Sequence, residues 1–249
     1  MPEGYDRQEF FETYFAKASE KPLFIESFSK HFETQAGSLS ILDLGCHDGT
    51  LLLRLLDKIK TRLPGEVRVV GVDPSEPSVR KFETKQLPDG VSLECHTLTG
   101  EDFLSRDERQ FTWIIASHCL YWTEDLERTL RSISERSDKA VVVFRGGRGI
   151  FEIQSQFKDL LGNPNEKLYT ADDISRSFDA LGIQYSKEVH QTSIEIPKPD
   201  SQEFRWIVSF FLQTSEKRIN SEEWTRIETF LDSYGGEVRH DVAFFWLKK

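Results

Sequence analysis

The chain is short of the residues that build metal sites and disulfide frameworks. Its three cysteines, Cys46, Cys95 and Cys119, lie far apart and show neither a C-x-x-C nor a Cys/His spacing. That pattern excludes a zinc module, so no metal is expected. An odd number of scattered thiols suits a reducing, cytoplasmic compartment. Long apolar runs are also missing. Ile207–Leu212, counted through Ser209, is among the longest, far below the roughly 20 residues a membrane-spanning helix needs. The opening residues, MPEGYDRQEF, are polar and acidic, so no secretory signal and no membrane association are read there. Positive charge is in deficit, with 32 Lys and Arg against 42 Asp and Glu, a formal net charge of -10. A nucleic-acid partner is therefore not expected, because phosphate neutralisation needs a basic surface. The same balance mildly favours a cationic small substrate. Methionine occurs once, whereas phenylalanine occurs 19 times and tryptophan 5 times, so the core and any pocket should be aromatic.

What the chain does contain is centred on ILDLGCHDGT, Ile41 to Thr50. Ile41 to Leu44 read as a short buried strand. Gly45 allows a tight turn and Gly49 a close backbone approach. The leucines after Leu51 fall at helical spacing. Strand, glycine turn and helix N-terminus together present unpaired backbone N–H groups to a cofactor. Asp43, near the strand end, can hold a cationic or hydroxyl-bearing group. A second strand ends in Asp73, 30 residues further on, where a carboxylate is placed to accept ribose hydroxyls. Glu101-Asp102 follows a third strand, where an adenine edge would lie. A nicotinamide-dependent oxidoreductase would share the first two acids, but His47 stands where its Gly-x-Gly-x-x-Gly fingerprint requires glycine.

Strands over 39–44, 67–73, 91–97, 111–116 and 139–144 alternate with helices over 49–61, 75–86 and 123–136, the last capped by Thr123. Nearly all-apolar strands of this kind form a parallel sheet covered on both faces, in a doubly wound α/β arrangement. The preceding residues 5–33 read as an amphipathic helical segment broken at Lys21-Pro22, with Phe10, Tyr14, Phe15, Phe24 and Phe28 at three- and four-residue spacing. Residues 1–36 are expected to form a lid over a domain spanning 37–249. Helices over 150–161, stopped by Gly162 to Asn165, and over 171–181, capped by Thr170 and ended by Gly182, follow. Strands over 183–196 and 238–247 enclose a helical insertion at about 197–235, which together with the N-terminal helices would roof the pocket.

The motifs ILDLGCHDGT, VVGVDPS, TGEDF and FTWIIASHCLYW, in that order and spacing, resemble the class I S-adenosylmethionine-dependent methyltransferases over roughly residues 39–194. The resemblance implies a Rossmann-like seven-stranded sheet with an antiparallel last strand, and S-adenosylmethionine as cofactor. It places Gly45 and the turn through Cys46, His47 and Gly49 against the methionine part and Asp73 at the ribose, with Asp43 and Pro74 also expected among the cofactor contacts. It places Glu101, Asp102 and Phe103 at the adenine, and Ser117 and His118 beside the sulfonium. The family often has glycine where His47 stands. A narrower likeness is carried by SHCLYWTEDLERTLRSI, VVVFRGG and YTADDISRSFDALGIQYS, which resemble the histamine N-methyltransferase branch. It implies a small-molecule acceptor, an amine or imidazole nitrogen, met by the N-terminal helices, the end of strand four and the last strand. The matching positions are Glu20, His118, which replaces an amide-bearing residue, and Asp241; Tyr14, Tyr121 and Trp122 are further expected acceptor contacts. His118, with an ordinary pKa near neutrality, is the expected general base, with Tyr121 beside it. Tyr121 and Trp122 are placed to stack on a cationic acceptor. A cofactor-binding protein without catalysis, an oxygen acceptor and a macromolecular acceptor are the alternatives. The Asn/Asp-Pro-Pro-aromatic motif common in macromolecular methyltransferases is not what SHCLYW spells.

Overall fold

The computed structural model describes residues 7–34, 37–163 and 167–249. Two helices, α1 (Gln8–Lys17) and α2 (Glu20–His31), precede the alternating part. That part runs β1 (Ser38–Leu44), α3 (Thr50–Ile59), β2 (Glu66–Val72), α4 (Glu76–Glu83), β3 (Val91–His96), α5 (Gly100–Arg106), β4 (Phe111–Ser117), α6 (Leu126–Glu135) and β5 (Ser137–Arg145). Then come α7 (Ile150–Gln156), α8 (Ala171–Leu181), β6 (Ser186–Glu195), α9 (Gln202–Leu212), α10 (Ser221–Asp232) and β7 (Glu237–Lys248). The seven strands form one sheet in the order β3-β2-β1-β4-β5-β7-β6, with β7 antiparallel to both neighbours. This is the Rossmann-like methyltransferase fold. The order reverses between β1 and β4, and crevices at such switch points are where open α/β sheets bind ligands. No helix of the described residues is long and apolar enough to cross a membrane.

Three apolar clusters hold the elements together. On one face, Leu42, Ile114, Val142 and Phe245 pack under α5, α6 and α8. On the other, Ile41, Val69, Ile115 and Phe244 pack under α2 and α3. A third cluster lies beyond the strands' carboxyl ends and joins Tyr14 of α1 with residues of α7, α9 and α10. This cap is discontinuous in sequence, because α1 and the late insertion must meet to bury their apolar stripes.

Several boundaries differ from the sequence reading. The break between α1 and α2 falls at Ala18-Ser19, which forms a bridge to β6 at Ile194 and a backbone bond from Ser19 N–H to the Ser193 carbonyl (2.9 Å). Pro22 instead sits inside the first turn of α2, where its missing N–H costs little. Thr123 does not cap α6; Asp125 does, accepting from the Arg128 N–H, while Leu120–Trp122 forms a short 3-10 turn. Helix 150–161 is shorter than read, ending at Gln156 before the 3-10 turn Lys158–Leu160. The first helix's expected start at residue 5 and the Pro164-Asn165 stop lie outside the described residues.

The described part of the expected 1–36 lid, residues 7–34, divides in two. Phe24, Phe28 and Phe32 are at most 2% exposed and pack against Trp113, Phe244 and Trp246. The α2 segment therefore belongs to the core of the sheet, and only α1 roofs the switch point.

Candidate active site

The turn after β1 is built on left-handed backbone. Gly45 and Gly49 have φ of 71° and 72°, and His47, between them, has φ of 47°. A Cβ on Gly45 would lie 2.3 Å from the Cys119 Cβ, and one on Gly49 would lie 2.1 Å from the Phe82 ring. Glycine at both positions is thus dictated by angle and by contact. His47 takes the conformation that glycine ordinarily supplies, at a cost of roughly 1–2 kcal/mol. Its ring packs tilted against Phe11 of α1 with centroids 4.1 Å apart, which offsets part of that strain. Gln8 donates to Asp48 (3.2 Å), so α1 is seated on the turn.

Two cavities meet over this turn, sharing Gly45, Cys119 and Trp122 as walls. The outer one is a groove of about 710 Å³ bordered by Pro74, Glu101 and Asp102. The inner one, of about 130 Å³, is enclosed by α1, α9 and the strand ends. Asp43, Cys46, His47, Ser117 and His118 line it. So do Tyr14, Tyr121 and Trp122.

Asp43 carries the best evidence of what the inner cavity takes. It is 5% exposed and accepts no hydrogen bond from the described residues. Burial, and then the neighbouring Asp73, push its carboxyl up to about 8. A buried carboxyl that lines a cavity without a partner offers a seat to a cation, whose presence would favour the ionised form. The amino-acid end of S-adenosylmethionine carries an ammonium, so the residues present fit that group.

The expected ribose acid is placed differently. Asp73 is fully buried beneath the turn, accepts from the N–H groups of His47 and Ser75 (2.9 Å each) and lines neither cavity. Each of its oxygens holds one donor of the tight turn and neither faces a cavity, so here it shapes the turn. Phe103 also turns away from the groove and packs in the core beside the His96 ring. Glu101 accepts from the N–H groups of Glu124 and Asp125 (3.0 Å each) and pins the loop that leads into α6. Asp102 is tied to the helix cap Thr99, with half its side chain exposed to the groove.

Glu20 does not line the cavity; it lies behind the wall, fully buried, as the hub of the groups that do. Its carboxylate accepts from Tyr14 Oη (3.0 Å), Lys21 Nζ (3.0 Å) and His118 Nε2 (2.9 Å). Burial alone would raise its pKa, but His118 and the Lys21 ammonium hold it well below the usual carboxylate range. Burial lowers the pKa of His118, against the pull of Glu20. A neutral His118 donates from Nε2 to Glu20 and accepts at Nδ1 from the Tyr121 hydroxyl (2.5 Å). Both imidazole nitrogens are therefore occupied, and the expected general base has no lone pair to spare. The face of Tyr121 is likewise taken, with the Arg145 guanidinium 4.4 Å above its ring. Trp122 donates to Gln213 (3.1 Å) and separates the two cavities.

Asp241 is not at the cavity. Successive residues of a strand face opposite sides, and in β7 it is His240 that reaches the wall, while Asp241 packs beside Gly146. Lys21, Arg145, Ser209 and His240 line the cavity without having been singled out from the sequence. Only His240 left a trace there, as the one polar residue among Val238, Val242, Phe244 and Trp246 at its own period of two.

A family model described as a methyltransferase domain matches residues 42–137, which span β1 to the start of β5. The chain carries an S-adenosylmethionine-dependent methyltransferase domain. No curated protein matches the sequence. Among solved structures, the YcgJ protein of Bacillus subtilis is similar, with a TM-score of 0.62 and 15% identity over 90% of this chain and 97% of that one. The magnesium protoporphyrin IX methyltransferase of Synechocystis PCC 6803, crystallised with bound SAH, gives a TM-score of 0.54 and 12% identity over 92% and 82%. A SAM dependent methyltransferase from Archaeoglobus fulgidus gives 0.51 and 15% over 92% and 94%. At these identities the likeness is one of fold. The methyltransferase match covers none of the cap, so about half of what walls the inner cavity lies outside it.

Proposed function

We propose that this methyltransferase acts on a small-molecule acceptor, at an amine or imidazole nitrogen. The observation that carries the reading is the inner cavity: about 130 Å³, walled by aromatic side chains and roofed by α1 and α9. Such a space admits a small molecule and excludes a folded chain. The likeness of the segment after β4 to the histamine N-methyltransferase branch supports a nitrogen acceptor.

The cofactor, when bound, supplies a methyl group already activated by a positively charged sulfur. What remains for the protein is alignment and exclusion of water. Asp43 would hold the cofactor's ammonium, with the Gly45–Gly49 turn and Ser117 beside it. Pro74, Glu101 and Asp102 would border its nucleoside in the outer groove. His118 and Tyr121 act as positioning residues. Their hydrogen-bonded line to Glu20 fixes the wall between the two cavities, and a cation on the acceptor would see the Glu20 charge through it.

The test is an acceptor screen with methyl-labelled S-adenosylmethionine against amines, imidazoles, phenols and carboxylates. Label on an amine or imidazole nitrogen is the expected result. Label only on phenols or carboxylates would overturn the nitrogen assignment. Tight cofactor binding with no labelled product from any class would favour a cofactor-binding protein without catalysis.

A further inference from the structure

Three buried polar atoms around the inner cavity have no hydrogen-bond partner among the described residues: Ser117 Oγ, Ser209 Oγ and His240 Nε2. Ser117 falls to the cofactor side. The other two come from the part of the chain beyond the methyltransferase match. His240 lies in β7, fully buried. Its Nδ1 is 3.3 Å from the Arg148 carbonyl oxygen. A carbonyl only accepts, so Nδ1 carries the proton and Nε2 presents a lone pair. Glu20 Oε2 lies 3.9 Å from that lone pair, another acceptor and beyond hydrogen-bond range. The ring's seat depends on Gly149, where a Cβ would come within 2.9 Å of the His240 Cα and 3.0 Å of its Cβ. Ser209 is fully buried on α9. A helical serine can bond back to the carbonyl four residues earlier, and this buried one does not.

Two unpaired buried polar groups at one cavity are costly unless a ligand pairs them. We propose that Ser209 and His240 form the subsite that recognises the acceptor, with His240 Nε2 accepting a hydrogen bond from an N–H of the substrate. This deepens the nitrogen-acceptor reading and rests on it. His240 is suited to this role where His118 is not, because both nitrogens of His118 are already engaged. Burial, and the nearby His118 and Arg145, lower its pKa to about 4, against the pull of Glu20. The ring therefore stays neutral, and its lone pair stays available, at ordinary pH. The subsite selects for an N–H donor of small size and against isosteres that lack one.

The probes are imidazole and oxazole, rings of one size of which only imidazole has an N–H. Each is titrated into histidine-labelled protein at pH 8 and followed by nuclear magnetic resonance. Imidazole should bind at least about tenfold more tightly than oxazole and shift the His240 Nε2 resonance. His240→Leu should erase that preference and His240→Gln, which keeps an acceptor atom, should restore part of it. Ser209→Ala should weaken both probes. Equal affinity of the two rings, or a preference that survives in His240→Leu, would overturn the subsite. So would a wild-type His240 carrying its proton on Nε2, a measurement that needs no variant to fold. An Nε2 resonance unmoved by imidazole, as expected if an ordered water alone occupies the site, would overturn it too. No methyl transfer is involved in these titrations. A failed acceptor screen therefore counts against the nitrogen-acceptor reading, and a lost ring preference counts against the subsite.

Discussion

Cofactor binding should expel a proton, and Asp43 is the reason. In the cofactor-free protein its pKa is raised, first by burial and then by Asp73, to about 8. A group with a raised folded-state pKa adds stability that is fully present below its unfolded value, 3.8, and is lost as pH rises through 8. At pH 7 the carboxyl is therefore about nine-tenths protonated, and ionising it costs about 1.4 kcal/mol, one pKa unit. A cofactor ammonium at the cavity wall favours the ionised form, so binding should release about 0.9 proton at pH 7. Affinity should rise by roughly tenfold between pH 6 and pH 7, as that cost falls by one unit. The assay is calorimetric titration with S-adenosylhomocysteine, which retains the ammonium, in two buffers of different ionisation enthalpy. Asp43→Asn keeps the shape, removes the titration and should bind without proton release. Without cofactor it should also be more stable than the wild type above pH 8, because it has no carboxylate to strand there. Buffer-independent binding heats in the wild type, or the same pH slope in Asp43→Asn, would refute the assignment of Asp43 to the ammonium.

Gly49→Ala should lower stability by about 2–5 kcal/mol, from left-handed strain and overpacking against Phe82; thermal melting measures it, and Phe82→Leu in the same chain should recover part. Glu20→Ala should cost about 3–5 kcal/mol, because it leaves Lys21 buried without its counter-ion, as read by denaturant titration. Starting the chain at Ala18 should leave a folded sheet with an open inner cavity. Starting it at Gly37 should leave no cooperative unfolding transition by circular dichroism, since Phe24, Phe28 and Phe32 are each worth roughly 3–5 kcal/mol. His240, whose folded pKa is lowered from 6.5 to about 4, contributes stability that is fully present above pH 6.5 and lost as pH falls toward 4. The loss is roughly 3 kcal/mol, and His240→Gln should flatten that limb of the stability profile.

The doubly wound sheet was legible because its signals are local. Apolar runs of strand length, proline and glycine punctuation and the turn at Gly45–Gly49 each depend on neighbours in sequence. The cap was legible only as an insertion. Its core joins Tyr14 to Phe211 and Trp224, and no local period says that such distant stripes face each other. The same limit accounts for α2. Its aromatic spacing announces a buried face, but whether that face covers a cavity or a sheet depends on where the helix docks.

The order of residues along the chain determined which backbone positions needed glycine, which strands were buried and where a carboxylate would end a strand. Those are consequences of bond angles and of side-chain period. Which oxygen is free and which is spent was decided by packing alone. Asp43 and Asp73 look alike as strand-end acids, yet the folded turn directs two amide N–H groups at Asp73 and leaves Asp43 unpaired at the cavity. His118 and His240 look alike as lone histidines, yet Glu20 and Tyr121 saturate the first, while the second keeps an open nitrogen. Hydrogen-bond partners come from segments far apart in the chain, so only the assembled structure could assign them.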